Sequence, residues 1–173
     1  MKRIISLLLS IVLLFGAAGC QIQNGNNAIA FYYPRSDYGY NTMENRFYGR
    51  VIEAEIREDI PQQSVHEILT IYLKGSISQA YSNPYPSNLK VESVSVVNKM
   101  SYIKVSNHLS ELTGIRLMIA CACLSRTVMD MTNTTSVEIS CNTALLDGKK
   151  HIVFHTDSFL LEDSAAVATD PQE

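Results

Sequence analysis

The side chains of this sequence that are capable of chemistry are thiols, imidazoles, paired carboxylates and phenols. Cys121 and Cys123 form a Cys-x-Cys pair, with Cys141 a further thiol downstream. Thiolates bind soft metals, but a metal needs converging ligands, and positions i and i+2 of a helix point far apart. The paired ligand spacings of zinc sites are absent, so no metal is expected. Cys121 reads as a small core hydrophobe, and Cys123 as a residue turned away from the buried stripe and open to solvent. No nucleophile motif surrounds either thiol, and Arg126 is the nearest cationic side chain in sequence. A bridge from one of them to Cys141 is conceivable outside the reducing cytosol, but three thiols cannot all pair within one molecule. His151 and His155 share a side if their segment is extended, and they read as surface imidazoles.

Glu53 and Glu55 flank Ala54 and mimic an acid/base pair. Arg57 continues the same row, which makes a solvated strand face the simpler reading. Asp157, Glu162 and Asp163 have no positioned base or oxyanion donor near them in sequence. There is no Gly-rich phosphate loop, serine elbow or HExxH, so no enzymatic activity and no cofactor are expected. The tyrosines are the remaining group: Tyr32, Tyr33, Tyr38, Tyr40, Tyr48, Tyr81 and Tyr85 cluster outside the regular elements or at their ends. Gathered in loops, Tyr38, Tyr40, Tyr81 and Tyr85 are candidates to contact a glycan, a small ligand or a protein; core and edge packing is the competing reading.

The elements that must position these groups follow from changes of period. Residues 91–97 alternate with high β-branched content, Asn98-Lys99 is a short polar break, and residues 102–105 resume an extended pattern, so the two read as a hairpin. From Gly114 the period is helical: Leu117, Cys121, Leu124 and Val128 form one stripe, with Met118, Ala122 and Met129 beside it. Asn133-Thr134-Thr135 ends that helix, and Val137, Ile139 and Cys141 restart a strand. Earlier, residues 28–33 make a compact strand closed by Pro34, and residues 35–45 read as a loop. Residues 48–58 alternate an apolar face (Ile52, Ala54, Ile56) with a charged one (Glu53, Glu55, Arg57). Asp59 and Pro61 then open a helix whose inward stripe is Val65, Ile68, Leu69, Tyr72 and Leu73, stopping near Gly75. Asp147-Gly148 marks a turn before a last strand at 152–154. Six short strands and two one-sided helices predict an α+β domain over residues 28–161, a small mixed or antiparallel sheet with both helices on one face.

The ends carry a different message. Lys2 and Arg3 precede an apolar run over residues 4–15, and small residues lead to Cys20. A run this short fits an export signal better than a permanent span. Gly16-Ala17-Ala18-Gly19-Cys20 resembles a bacterial lipoprotein box, although Ala17 stands where leucine is more usual. The resemblance implies a signal peptide at 1–19, diacylglyceryl attachment at Cys20 and anchoring on the outer side of the cytoplasmic membrane. Ordinary secretion with an incidental Cys20, or an uncleaved anchor, are the competing readings. Residues 20–27 read as a polar tether and 162–173 as a disordered acidic tail. Removing Lys2 and Arg3 takes Lys plus Arg from 14 to 12 against 17 acids, a formal charge of −5, which argues against nucleic acid as a partner.

The order of elements resembles the GerMN domain family, found in sporulation and spore-germination lipoproteins. The residues that carry the likeness are FYYP (31–34), YLKGS (72–76), the hairpin LKVESVSVVNKMSYIKVS (89–106), the helix GIRLMIACACLSRTVMD (114–130), the strand SVEIS (136–140), and the closing DGK (147–149) and HTDSFL (155–160). Val105 stands where the family often has an acidic residue, and one copy is present where some members carry two. The resemblance implies a fold similar to the ring-building modules of secretion systems. It also implies a non-enzymatic, membrane-anchored role as an interaction or assembly module, with envelope or spore-coat and cortex proteins, or further copies of itself, as partners. The alternative expectation is an extracytoplasmic lipoprotein that binds a small ligand or peptidoglycan through the Tyr-rich loops.

Overall fold

Four strands make the larger sheet: β5 (Val91–Val97), β6 (Met100–Val105), β7 (Ser136–Ser140) and β8 (His151–His155), in that spatial order. They belong to a computed structural model that describes residues 28–37, 39–41, 46–48, 51–61 and 63–159, the backbone path alone at 39–41 and 46–48. The expected signal peptide (1–19), Cys20 with its tether (20–27), Tyr38 and the acidic tail (162–173) lie outside the described residues. The remaining elements are β1 (Ile29–Pro34), β2 (Gly39–Asn41), β3 (Arg46–Tyr48), β4 (Ile52–Arg57), α1 (Val65–Tyr72), α2 (Gly114–Thr132) and the 3-10 turns Asn107–Glu111 and Thr156–Phe159. The fold class is α+β, as the sequence predicts.

The expected hairpin is present. Asn98 and Lys99 both take positive φ (48° and 65°), the two-residue type I′ turn whose twist matches that of the strands it joins. The Lys99 carbonyl accepts from Thr135 N–H at 3.0 Å and its ammonium donates to the Asn133 carbonyl, so the turn is fastened to the end of α2. Asn133 itself is the left-handed residue that stops the helix. α2 carries the chain across to β7, which pairs parallel with β6; β8 returns antiparallel through the expected Asp147-Gly148 turn. In register, Ser101, Val137 and Phe154 form one inward row and Ile103, Ile139 and Ile152 the next, all buried in one core with Leu117, Cys121, Leu124 and Val128 of α2. The opposite row, Tyr102, Glu138 and Val153, lies on the outer face, and its Tyr102 and Val153 are exposed.

Two expectations are corrected by β1 and β4. These strands do not join the larger sheet but form their own antiparallel pair. Strand pairing at the free edge of β1 is replaced by side-chain hydroxyls: Tyr32 N–H donates to Thr127 Oγ1 at 3.0 Å, and Tyr72 Oη donates to the Tyr32 carbonyl at 2.7 Å. The second correction concerns which face of β4 is buried. Glu55 and Arg57 are only 7% and 8% exposed, whereas Ile56 is 60% exposed. The register explains the reversal. Phe31 stands opposite Glu55 and Tyr33 opposite Glu53, so the acidic row shares its face with two aromatic rings that have no exposed surface. Burying β1's aromatics therefore carries Glu55 and Arg57 inward with them.

α1 begins later than Pro61 suggests. Ser64 caps it, accepting from Glu67 N–H while the Glu67 carboxylate returns to Ser64 N–H, a reciprocal capping box. Its expected stripe, Val65, Ile68, Leu69 and Tyr72 with Leu73, is buried. Residues 35–45, expected as loop, contribute β2, which pairs with β3 in a short hairpin.

Candidate functional site

Where β1, α1 and α2 meet, the core is aromatic and hydroxylated. Tyr33 and Tyr72 stack with centroids 4.9 Å apart, and Phe31 meets the Tyr72 ring edge-on at 5.2 Å. Tyr33 Oη donates to the Tyr72 carbonyl at 2.7 Å, a carbonyl near the end of α1. Tyr72 Oη lies 2.6 Å from Tyr85 Oη, which in turn reaches the Ala120 carbonyl at 3.0 Å. Burial raises all three phenols above their ordinary range; the Glu55 carboxylate adds to the rise at Tyr33, and neighbouring Cys123 adds to it at Tyr72. These groups remain protonated at neutral pH, so they work as hydrogen-bond donors and not as bases.

Beside them runs a charged row. Arg35 bridges Asp37 at 2.6 Å and Glu53 at 2.9 Å, and Arg57 grips Asp59 with two bonds of 2.6 Å. Each guanidinium holds its aspartate below the usual carboxylate range. Glu55 Oε1 accepts from Ser76 Oγ at 3.0 Å and Ser78 N–H at 3.2 Å, while Oε2 is buried with no hydrogen-bond partner among the described residues. Glu55 thus holds β4 to the 76–78 segment and is not solvated as the spacing suggests, whereas Glu53, paired with Arg35, keeps its side chain partly open to solvent.

The tyrosine candidates separate. Tyr38 lies outside the described residues, and Tyr40 falls in β2, where only the backbone is described. Tyr81 is half-buried beside Tyr33, its hydroxyl reaching the Ala54 carbonyl at 3.4 Å. Tyr85 is buried, yet it also lines an open groove of about 890 Å³. Pro34, Pro84, Leu112 and Ile119 supply apolar wall to that groove, with Arg116 and Glu111 at its polar margin. Tyr81 does not line it, so the structure does not bring Tyr81 and Tyr85 to one wall.

Cys121, Cys123 and Cys141 are all buried as thiols. The expected accessibility of Cys123 is corrected: α2 is covered on two sides, by the larger sheet and by β1, and Ala120, Cys123 and Thr127 form its second buried stripe. Burial pushes the Cys121 thiol up to about 12, with Cys141 adding to the shift, which removes it as a thiolate nucleophile at neutral pH. His151 and His155 are exposed on the same face of β8, His155 with its Nδ1 2.8 Å from Ser136 Oγ. No three metal-ligating side chains converge among the described residues. The sequence reading missed the contact between Arg126 and the rings of Tyr32 and Phe159, 5.3 and 5.6 Å from its guanidinium carbon. It ties the closing turn to β1. Its three members are far apart in sequence, and no local pattern links them.

No family model matches the chain, and no curated protein matches it. Among solved structures, a crystal structure of a Clostridium perfringens protein described as a candidate lipoprotein aligns over 76% of this chain and 88% of that one, with 15% identity and a TM-score of 0.43.

Proposed function

We propose that this protein is a lipid-anchored envelope protein that acts by contact instead of catalysis, as an interaction or assembly module in sporulation or spore germination. Cys20 would hold it to the outer side of the cytoplasmic membrane. Its partners would be envelope or spore-coat and cortex proteins, with no cofactor and no nucleic acid. The reading is supported by the short apolar leader ending at Cys20 and by the resemblance in order of elements to GerMN domains. The single observation that carries the contact role is the outer face of the four-stranded sheet. It has no helix over it among the described residues, and Val97, Tyr102 and Val153 are exposed there. A sheet face that carries exposed apolar side chains is a surface for another protein.

Two measurements test it. Metabolic labelling with a radioactive fatty acid should mark the wild-type chain and leave Cys20→Ser unlabelled. Deletion in the native host should lower spore yield, heat resistance or germination. Normal spores in every assay, with the protein made only in vegetative cells, would remove the sporulation role.

A second reading, an extracytoplasmic lipoprotein that binds a small ligand or a peptidoglycan fragment, draws support from the groove beside Tyr85. Saturable binding of soluble muropeptides to the full-length chain, weakened by Arg116→Ala, is its expected signature. Binding that Arg116→Ala leaves unchanged would count against this groove.

A further inference from the structure

β5 closes one side of the larger sheet, with β6 as its only strand neighbour among the described residues. The Asn98-Lys99 turn makes Val97 and Met100 a hydrogen-bonded pair, and the alternation of an antiparallel ladder assigns the rest. Ser95 and Ser93, opposite Tyr102 and Lys104, bond toward β6. Val96 and Val94, opposite Ser101 and Ile103, turn their N–H and C=O groups outward. The bulge at Glu92 shifts the pattern so that Val91 also faces out, and its carbonyl lies 3.2 Å from His66 Nε2 of α1. α1 therefore serves the first outward residue, while no hydrogen bond from the described residues reaches the outward groups of Val94 and Val96.

The side chains agree with this. Val94 and Val96 point toward the core layer but are only half-buried, whereas Ile103, Val137 and Ile139 on the inner strands are fully buried. On the outer face Val97 is 53% exposed. Residues 93–97 contain no proline and no charge, the usual devices that keep an edge from pairing. Among the described residues, no further strand continues the core layer beyond this edge.

We infer that the β5 edge pairs antiparallel with the β5 edge of a second copy, about a two-fold axis at Ser95. In that register Val94 meets Val96 of the second copy and Val96 meets its Val94, each pair exchanging two main-chain hydrogen bonds. Small Ser95 faces its own counterpart, and Ser93 lies beside exposed Val97. Glu92 comes opposite uncharged Asn98, and the central residues 93–97 bring no charge against their counterparts. The occupant is a second copy because Ser-Val-Ser-Val-Val reads nearly the same in both directions about Ser95, the self-complementarity a two-fold interface requires. The two sheets become one continuous sheet, and the half-buried valines cover one another. A contact this small belongs to the weak class of interfaces. It gains from the high local concentration of molecules held on one membrane, and in that respect it rests on the proposed anchor.

The test uses the full-length chain in detergent and in liposomes. Ser95→Cys puts two thiols on the axis at a non-hydrogen-bonded pair, where Cα atoms about 4.5 Å apart fall within disulfide range. Under mild oxidation it should form a disulfide dimer at least about tenfold faster than Ser87→Cys, an exposed control. Val96→Pro removes an outward N–H without touching the bonds to β6, and should bring the Ser95→Cys rate down to that of the control. Independently of any cysteine, Ser95→Lys sets two like charges face to face, and should abolish association in sedimentation equilibrium. Equal crosslinking at Ser95 and Ser87, or association unchanged by Ser95→Lys, overturns the inference. Fatty-acid labelling of the same samples separates the two claims: crosslinking without lipid on Cys20 keeps the edge pairing and discards the anchor.

Discussion

The phenolic oxygens of Tyr72 and Tyr85 stand 2.6 Å apart in the core, and each has a main-chain carbonyl in reach, Tyr32 at 2.7 Å and Ala120 at 3.0 Å. Two hydroxyl hydrogens face three contacts, so one contact goes without a proton. The Tyr32 carbonyl points away from β4 and depends on Tyr72, whereas Ala120 sits within α2, where its carbonyl has a helical N–H partner. The arrangement that leaves nothing stranded has Tyr85 donating to Tyr72 and Tyr72 donating to Tyr32. Tyr72→Phe should therefore cost about 1–3 kcal/mol, the penalty of an unsatisfied buried carbonyl, and Tyr85→Phe about 0.5–1.5 kcal/mol. Urea denaturation of the two variants checks the order, and the reverse order refutes it.

Glu55 fastens β4 to the segment after α1 through Ser76 Oγ and Ser78 N–H. Glu55→Ala removes both bonds and leaves a void, an expected loss of about 2–4 kcal/mol. Glu55→Gln keeps an acceptor oxygen and removes a buried charge whose second oxygen has no hydrogen-bond partner, so it should stay within about 1 kcal/mol of wild type. Hydrogen exchange at Ser78 N–H should speed up in the alanine variant alone. Equal effects of the two substitutions would show that the carboxylate's charge, and not its hydrogen bonds, holds the segment.

The capping box gives a third expectation. Ser64→Ala removes the acceptor for Glu67 N–H and should destabilise the protein by about 1 kcal/mol. Ser64→Asp supplies an equivalent acceptor and should recover most of that loss in thermal denaturation. No difference between the alanine and aspartate variants would mean that the cap does not contribute.

Alkaline pH should unfold the protein in a defined window. Burial raises the Cys121 thiol from 9.0 to about 12, and raises Tyr33, Tyr72 and Tyr85 from 10.0. Each group is neutral when folded and ionises earlier in the unfolded chain, so above about pH 9 the unfolded state binds fewer protons than the native one. Stability is then complete below about pH 9 and lost progressively as pH rises through the thiol and phenol ranges. Denaturation midpoints should be level from about pH 7 to pH 9 and fall beyond, with buried tyrosinate absorbance appearing only as structure is lost. Midpoints that rise above pH 9 would contradict the assignment.

Residues whose environment is set by their own element were legible in the sequence. The α1 stripe, the α2 stripe from Leu117 to Val128, the Asn98-Lys99 turn and the Asn133 stop follow from local period and turn chemistry, and the structure has each of them. What failed depended on a partner strand. The alternation in residues 52–57 says only that its two faces differ; β1, by bringing Phe31 and Tyr33, decides which is buried. Cys123 looked exposed because a helical wheel registers one sheet, and α2 packs against β1 as well. The β2 and β3 pair lies in a stretch rich in Tyr, Gly and Asn, with no alternation to announce it. Of the tyrosine candidates, the sequence could not separate Tyr85, whose hydroxyl is committed inside, from a loop aromatic.

The β5–β6 turn also bears on how quickly the protein reaches this state. β6 and β7 are parallel and lie on either side of α2, so their union must wait for a long loop to close, whereas β5 and β6 meet across two residues. The hairpin is then the natural first structure, and its fastening through Lys99 to Asn133 and Thr135 gives the later crossover a place to dock. Asn98→Ala, which disfavours the left-handed turn, should slow refolding more than it speeds unfolding in stopped-flow measurements. The short turn thereby shortens the time for which the valine-rich β5 stands unpaired in the folding chain.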